Sequence, residues 1–437
     1  MRRARIRVAA AAAVVASLAL LLGGALREPP PSVPPGPGRP AGAESLRAGF
    51  SPGDTPAVVR RLQASVRATP SDAGALGLLG LAYQQRARET GDPSYYTKSE
   101  GVLRRALAFD SADLSATSGL GSLALARHRF REALALGRRA RALSPTTARH
   151  HGVVGDALAE LGRYREAFEA FDRMGELRPG LAAYARIAHA RWLLGRTDQA
   201  ISAMRLALHG ATGRPEPEAW TRVQLGKLLF SRGAVAAADA QYRAALAVFP
   251  GYAPALDARA LAAWARGRTS AAIALERRAV DAIPLPQHIA QLGDLYRAAG
   301  DVRRARAQYA LIRAIERLLA ANGVRTELET ALFDADHGAR PRETLALARR
   351  ARRATPSIEG DDVLAWALER AGRCREGLRH SRRALRLGTR DALKLFHRGM
   401  IERCLGHRAA ARRWFRRALA LNPSFSVRWA PVARRLA

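Results

Sequence analysis

Apolar residues recur every three to four positions along most of this chain, in short blocks separated by polar turns. That is the period of helices that bury one face. The blocks come in pairs. Gly-Arg turns part the members of a pair, at Leu161-Gly162-Arg163, Leu194-Gly195-Arg196, Arg266-Gly267-Arg268 and Ala371-Gly372-Arg373. Glycine there accepts the left-handed conformation that ends a helix. A proline, which a helix interior does not tolerate, closes the pairs. Pro145 and Pro179 lie 34 residues apart, as do Pro250 and Pro284. The gaps onward to Pro356 and Pro423, 72 and 67 residues, are each two periods to within a few residues. A constant step of this size predicts a stacked helical repeat over most of the chain.

Small residues keep the same step inside each unit. Gly121, Ala133, Ala140 and Pro145 stand at offsets reproduced by Gly226, Ala238, Ala245 and Pro250. Ala260, Ala272, Ala279 and Pro284 repeat them, as do Gly399, Ala411, Ala418 and Pro423. Gly155, Ala167 and Pro179 keep the step with Met174 in place of one alanine. Such positions let two helix axes approach closely.

This spacing resembles the tetratricopeptide repeat (TPR). The stretches Leu161-Gly162-Arg163-Tyr164-Arg165-Glu166-Ala167 and Tyr242-Arg243-Ala244-Ala245-Leu246-Ala247 look like its turn and second helix. The resemblance runs over about residues 80–423 as roughly ten units. Degenerate copies begin at Ala188, Leu332 and Ala365, and the unit at Gly293 lacks its closing proline. An insertion falls near 89–96, and 308–322 reads as a lengthened second helix. The resemblance implies an all-α fold, a right-handed superhelical solenoid of TPR-like helix-turn-helix repeats over residues 51–437. A half-repeat at 55–68 would precede the units and a capping helix at 427–436 would close them. As a class such repeats bind proteins or peptides, with no particular partner implied.

The resemblance also implies that first helices line the concave face, through residues at fixed offsets from the small residue at each crossing. Those offsets select Asp156, His189, Trp192, Trp220, Lys227, Phe230, Asp257, Trp264, Asp294 and Arg297. The C-terminal units add Glu329, Phe333, Asp336, Glu359, Asp362, Trp366 and Glu369. Four of the six tryptophans fall on this row, and acids collect there in a basic protein. Aromatic anchors with acidic rims suit an extended peptide carrying basic or polar residues. The other reading is that each tryptophan packs against the second helix of its own unit. A clamp for a partner's C-terminal carboxylate would need several Lys and Asn residues on the row, which offers Lys227 alone.

Arg2, Arg3, Arg5 and Arg7 precede an uncharged apolar run at 8–26. Residues 1–27 read either as a cleaved export signal or as a membrane anchor. Both versions leave the repeats outside the cytoplasm under the positive-inside rule, exported and either secreted or tethered to the membrane. Residues 28–50 are Pro-rich, an extended spacer.

The net charge of +34 predicts attraction to anionic polymers or surfaces, weakened by salt. Only Lys98, Lys227 and Lys394 are lysines, an arginine bias that fits genome composition as well as chemistry. The leader, and the lack of a base-reading pair repeated at fixed places, argue against nucleic acid. Cys374 and Cys404 sit in adjacent units on the same edge of the solenoid. In an oxidising compartment a disulfide joins them; the other reading is two separate thiols. No phosphate loop, nucleophile elbow or metal-ligand motif is present, so the sequence points to no catalysis, cofactor or metal.

Overall fold

The computed structural model describes residues 55–338 and 340–437. The expected leader and spacer therefore lie outside the described residues. Among the described residues every regular element is helical, and no helix is long and apolar enough to cross a membrane. After α1 (Thr55–Ala68), ten helix pairs follow. They are α2 (Ala73–Thr90) with α3 (Ser94–Phe109), α4 (Leu114–Ala126) with α5 (Phe130–Leu143), and α6 (Ala148–Glu160) with α7 (Tyr164–Leu177). Next come α8 (Leu181–Leu193) with α9 (Thr197–His209), α10 (Pro215–Ser231) with α11 (Val235–Val248), and α12 (Ala253–Ala265) with α13 (Thr269–Ala282). Then stand α14 (Pro286–Ala298) with α15 (Val302–Ala321), and α16 (Glu327–His337) with α17 (Pro341–Ala354). Finally α18 (Ile358–Arg370) pairs with α19 (Cys374–Ala384), α20 (Ala392–Cys404) with α21 (Arg408–Leu421), and α22 (Ala430–Leu436) ends the chain.

Four of the glycines at the crossings have a shared cause. An aromatic ring of the second helix, always sixteen residues on, lies where a Cβ would stand: Phe171 on Gly155, Tyr242 on Gly226, Tyr309 on Gly293 and Phe415 on Gly399. A side chain at any of these glycines would force the pair apart.

The solenoid also packs against itself. Ile358 N–H donates to Tyr164 Oη at 2.7 Å, across 194 residues. Asn422 Nδ2 donates to the Phe230 carbonyl at 2.8 Å across 192, and Thr389 Oγ1 donates to the Leu193 carbonyl across 196. His128 Nδ1 meets the Arg325 carbonyl at 2.7 Å across 197, beside an Arg325 N–H to Arg127 carbonyl bond of 3.2 Å. In each case the turn inside one pair touches the linker that follows the sixth second helix after it. One superhelical turn is thus about five and a half pairs, and the second turn rests on the first.

The irregular units explain why the stacking starts where it does. Tyr96, at the edge of the insertion in the first unit, clusters with Ala87, Leu123, Ile289, Ile312, Ile315, Leu319 and Val324. Leu319 belongs to the extra length of α15, and Ile315 stands just before it. The two departures from the repeat pack on one another, and Thr97 Oγ1 donates to Asn322 Oδ1 at 3.1 Å beside them. Apolar burial, not propensity, holds the two turns together here.

Candidate binding site between the two turns

Stacking converts part of the concave face into a partly enclosed space. A cavity of about 400 Å³ lies between α6, α8 and α10 of the first turn and the N-terminal ends of α18 and α20 of the second. That volume is in the range of small-ligand and side-chain pockets. His189 and Trp192 are three apart on α8 and so share a face, their rings stacked at 5.9 Å. Trp220 and Lys227 are seven apart on α10, two helical turns along one stripe. Glu160 ends α6, Tyr164 opens α7, and Glu359, Asp391 and Lys394 come from the second turn.

Charge in the cavity is unevenly paired. Lys394 bonds Asp391 at 3.3 Å and Glu359 at 3.5 Å. Burial alone would lower its ammonium, but Asp391, Glu359 and Asp362 hold it above the usual lysine range. Burial pushes the His189 imidazole down to about 4, so it is neutral at pH 7. Glu160 is 8 % exposed, makes no ion pair, and is pushed well above the carboxylate range by burial and by Glu359, Glu329 and Asp156. The Trp220 indole nitrogen is buried without an acceptor. Lys227 is exposed at the wall.

Of the residues predicted on the row, His189, Trp192, Trp220, Lys227 and Glu359 meet in this cavity. The sequence predicts Asp156, Phe230 and Trp366 to face a partner, and the structure places all three inside. Asp156 is 1 % exposed and grips Arg186 through two bonds of 2.6 and 2.9 Å. Phe230 belongs to the core around Trp220 and Tyr242. Trp366 is fully buried, stacked on His397 at 4.5 Å, with its indole N–H on Asp336.

Asp257, Trp264 and Asp294 are engaged as well. Asp257 accepts from Gln291 at 3.0 Å. Asp294 accepts from Tyr309 Oη at 2.7 Å and lies 2.8 Å from His337 Nε2. The chain's own C-terminal segment takes much of the remaining groove. Val427 packs with Ala260, Leu295 and Trp264, Arg428 lies 3.8 Å from Asp294, and Trp429 Nε1 donates to Asp336 at 2.8 Å. Arg297 is exposed. The expected acidic rim is therefore largely internal, since Asp336 and Asp362 are bonded within the protein.

Glu160, Tyr164, Asp391 and Lys394 are cavity residues that the sequence did not single out. Glu160 lies five residues past Gly155, one beyond the chosen offsets. Lys394 and Asp391 arrive from the other superhelical turn, and only the pitch reveals them. Away from the cavity, Cys374 and Cys404 are bridged, with Cα atoms 6.2 Å apart.

Comparison with known proteins adds the following. No curated protein sequence matches the chain. The structure is similar to that of the human IFIT1 dimer with PPP-AAAA, at 14% identity and TM-score 0.47, over 84% of this chain and 87% of that one. It is similar to the APC/C hetero-tetramer Cut9-Hcn1 at 14% identity and TM-score 0.39, over 90% and 82%. PilW, a type IV pilus biogenesis factor, is similar at 17% identity and TM-score 0.39, over 47% of this chain and 93% of that one. Residues 181–208, covering α8 and most of α9 beside the cavity, match the family model of the tetratricopeptide repeat.

Proposed function

We propose that the chain is an extracytoplasmic scaffold that binds a segment of a protein or peptide in the cavity between its two turns. One observation carries this reading. The cavity sets the largely buried Glu160 carboxyl, which makes no ion pair, beside the Trp192 and His189 rings. Buried polar groups are nearly always bonded, so an incoming chain is the natural source of the missing partner. The extracytoplasmic placement rests on the leader at 1–27, and a fusion of residues 1–50 to an export-dependent reporter tests it.

Trp192 is only partly buried, so Trp192→Ala tests the site while sparing the fold. The expected result is a loss of partner retention by roughly tenfold or more, as for an aromatic anchor. Affinity capture from native membranes at low and high salt measures it. Equal retention of a discrete protein by both forms would remove the cavity from the account.

A second reading has its own support. Exposed arginine doublets recur at one register of the second helices, at Arg104-Arg105, Arg138-Arg139, Arg277-Arg278, Arg382-Arg383 and Arg416-Arg417. Such an outer stripe suits an anionic surface or polymer. Salt of about 0.5 M screens charges beyond roughly 4–5 Å and is expected to abolish that binding while sparing the cavity. Co-sedimentation with anionic vesicles at two salt concentrations reads it out.

A further inference from the structure

We propose that the cavity accepts one cationic side chain, an arginine or lysine of an extended partner peptide, seated against Trp192 and Trp220 with its charge on Glu160. This rests on the reading of the cavity as the partner's site. Glu160 is placed against three local rules at once. It is the last residue of α6, where the helix dipole disfavours negative charge. It is 8 % exposed and has no ion pair. Its charged neighbours Asp156, Glu329 and Glu359 are carboxylates. A site where several local preferences are violated together is the kind that function maintains.

The remaining charges of the cavity select a cation over an anion. Lys394 is already matched to Asp391 and Glu359, and His189 is neutral. That leaves Glu160 inside and Lys227 at the wall. Aromatic faces attract cations, and the rings of this cavity already do so within the protein. Lys394 Nζ lies 5.8 Å from the Trp192 ring centre, and the Arg386 guanidinium 5.2 Å from that of Tyr164. Farther along the groove the chain holds its own Arg428 between Asp294, at 3.8 Å, and the Trp429 ring, at 5.0 Å.

A proton moves on binding. Burial and the carboxylates Asp156, Glu329 and Glu359 favour the protonated form of Glu160, and Tyr164, His189 and Lys394 also face the space. An arriving cation favours the ionised form, so Glu160 releases its proton to solvent. Affinity for the cation is accordingly higher above the raised Glu160 pKa and falls as pH drops through it.

Calorimetric titration of the full chain with capped peptides carrying a central arginine, citrulline or glutamate tests this, with free agmatine as a fourth probe. The expected result is arginine binding at least about tenfold tighter than its neutral isostere citrulline. Glu160→Gln, close in shape but unable to ionise, should erase that preference and the proton release. Comparing buffers of different ionisation enthalpy measures that release in the wild type. Citrulline or glutamate peptides binding as well as arginine, with no effect of Glu160→Gln, would overturn the cation. If the cavity-filling Gln224→Trp then removes that binding, the partner site itself survives. Agmatine binding without the arginine peptide would overturn the peptide as its source. Failure of every peptide would overturn both readings.

Discussion

Alanine at Gly162 or Gly195 should destabilise the protein far more than alanine at Gly267 or Gly372. All four glycines hold the same left-handed turn, with φ of +71°, +71°, +76° and +73°. Forcing a side chain into that conformation costs about 1–2 kcal/mol at each. Only the first two carry a second penalty. A Cβ on Gly162 would fall closer than 3.0 Å to the Pro356 carbonyl, and one on Gly195 would do the same to Gly388, both in linkers of the next superhelical turn. Nothing lies within 4 Å of a Cβ at Gly267 or Gly372. Backbone cannot rotate away as a side chain can, so the overlap adds about 1–3 kcal/mol or parts the turns. Urea unfolding of the four variants reads the difference. Equal losses at all four would mean that the turns do not rest on one another.

Asp156→Ala is the second large effect, roughly 3–5 kcal/mol of stability. It leaves the Arg186 guanidinium, 1 % exposed, without its carboxylate. Burial outweighs Arg186 in setting the Asp156 pKa, which is raised, a sign that the pair is expensive to bury. The double replacement Asp156→Leu/Arg186→Met should therefore recover most of the loss. Thermal unfolding of the single and double variants decides it. A near-neutral single variant would show that Asp156 is not the structural residue its geometry makes it.

Much of the fold was legible because it is local. The 3.6-residue period, the Gly-Arg turns and the closing prolines each act within one pair, and Cys374 and Cys404 do fall at a helix start and a helix end. The site was legible only in part. Trp192 and Trp366 sit on the same predicted row, yet one lines a cavity and the other is sealed under Trp429 and His397. The cavity at Trp192 comes from the pitch of the superhelix, set by contacts 192–197 residues apart, whereas Trp366 is covered by its neighbouring unit and the C-terminal segment. Those contacts run through a tyrosine hydroxyl, a threonine, an asparagine, a histidine ring and backbone groups, none of which forms a pattern in sequence. The insertion near 89–96 and the long α15 were both visible as irregularities. That they meet was not, because nothing local relates them.

The account turns on the closure of the solenoid, and one amide reports it. Ile358 is the first residue of α18, where a backbone N–H has no partner inside its own helix. In an open superhelix it would exchange with solvent freely. In the closed one it is buried and donates to Tyr164 Oη. Residue-resolved hydrogen exchange at Ile358, in the wild type and in Tyr164→Phe, is the direct test. Strong protection that the loss of one hydroxyl removes is the result expected. Unprotected exchange at Ile358 in the wild type would contradict the stacked turns and the cavity between them.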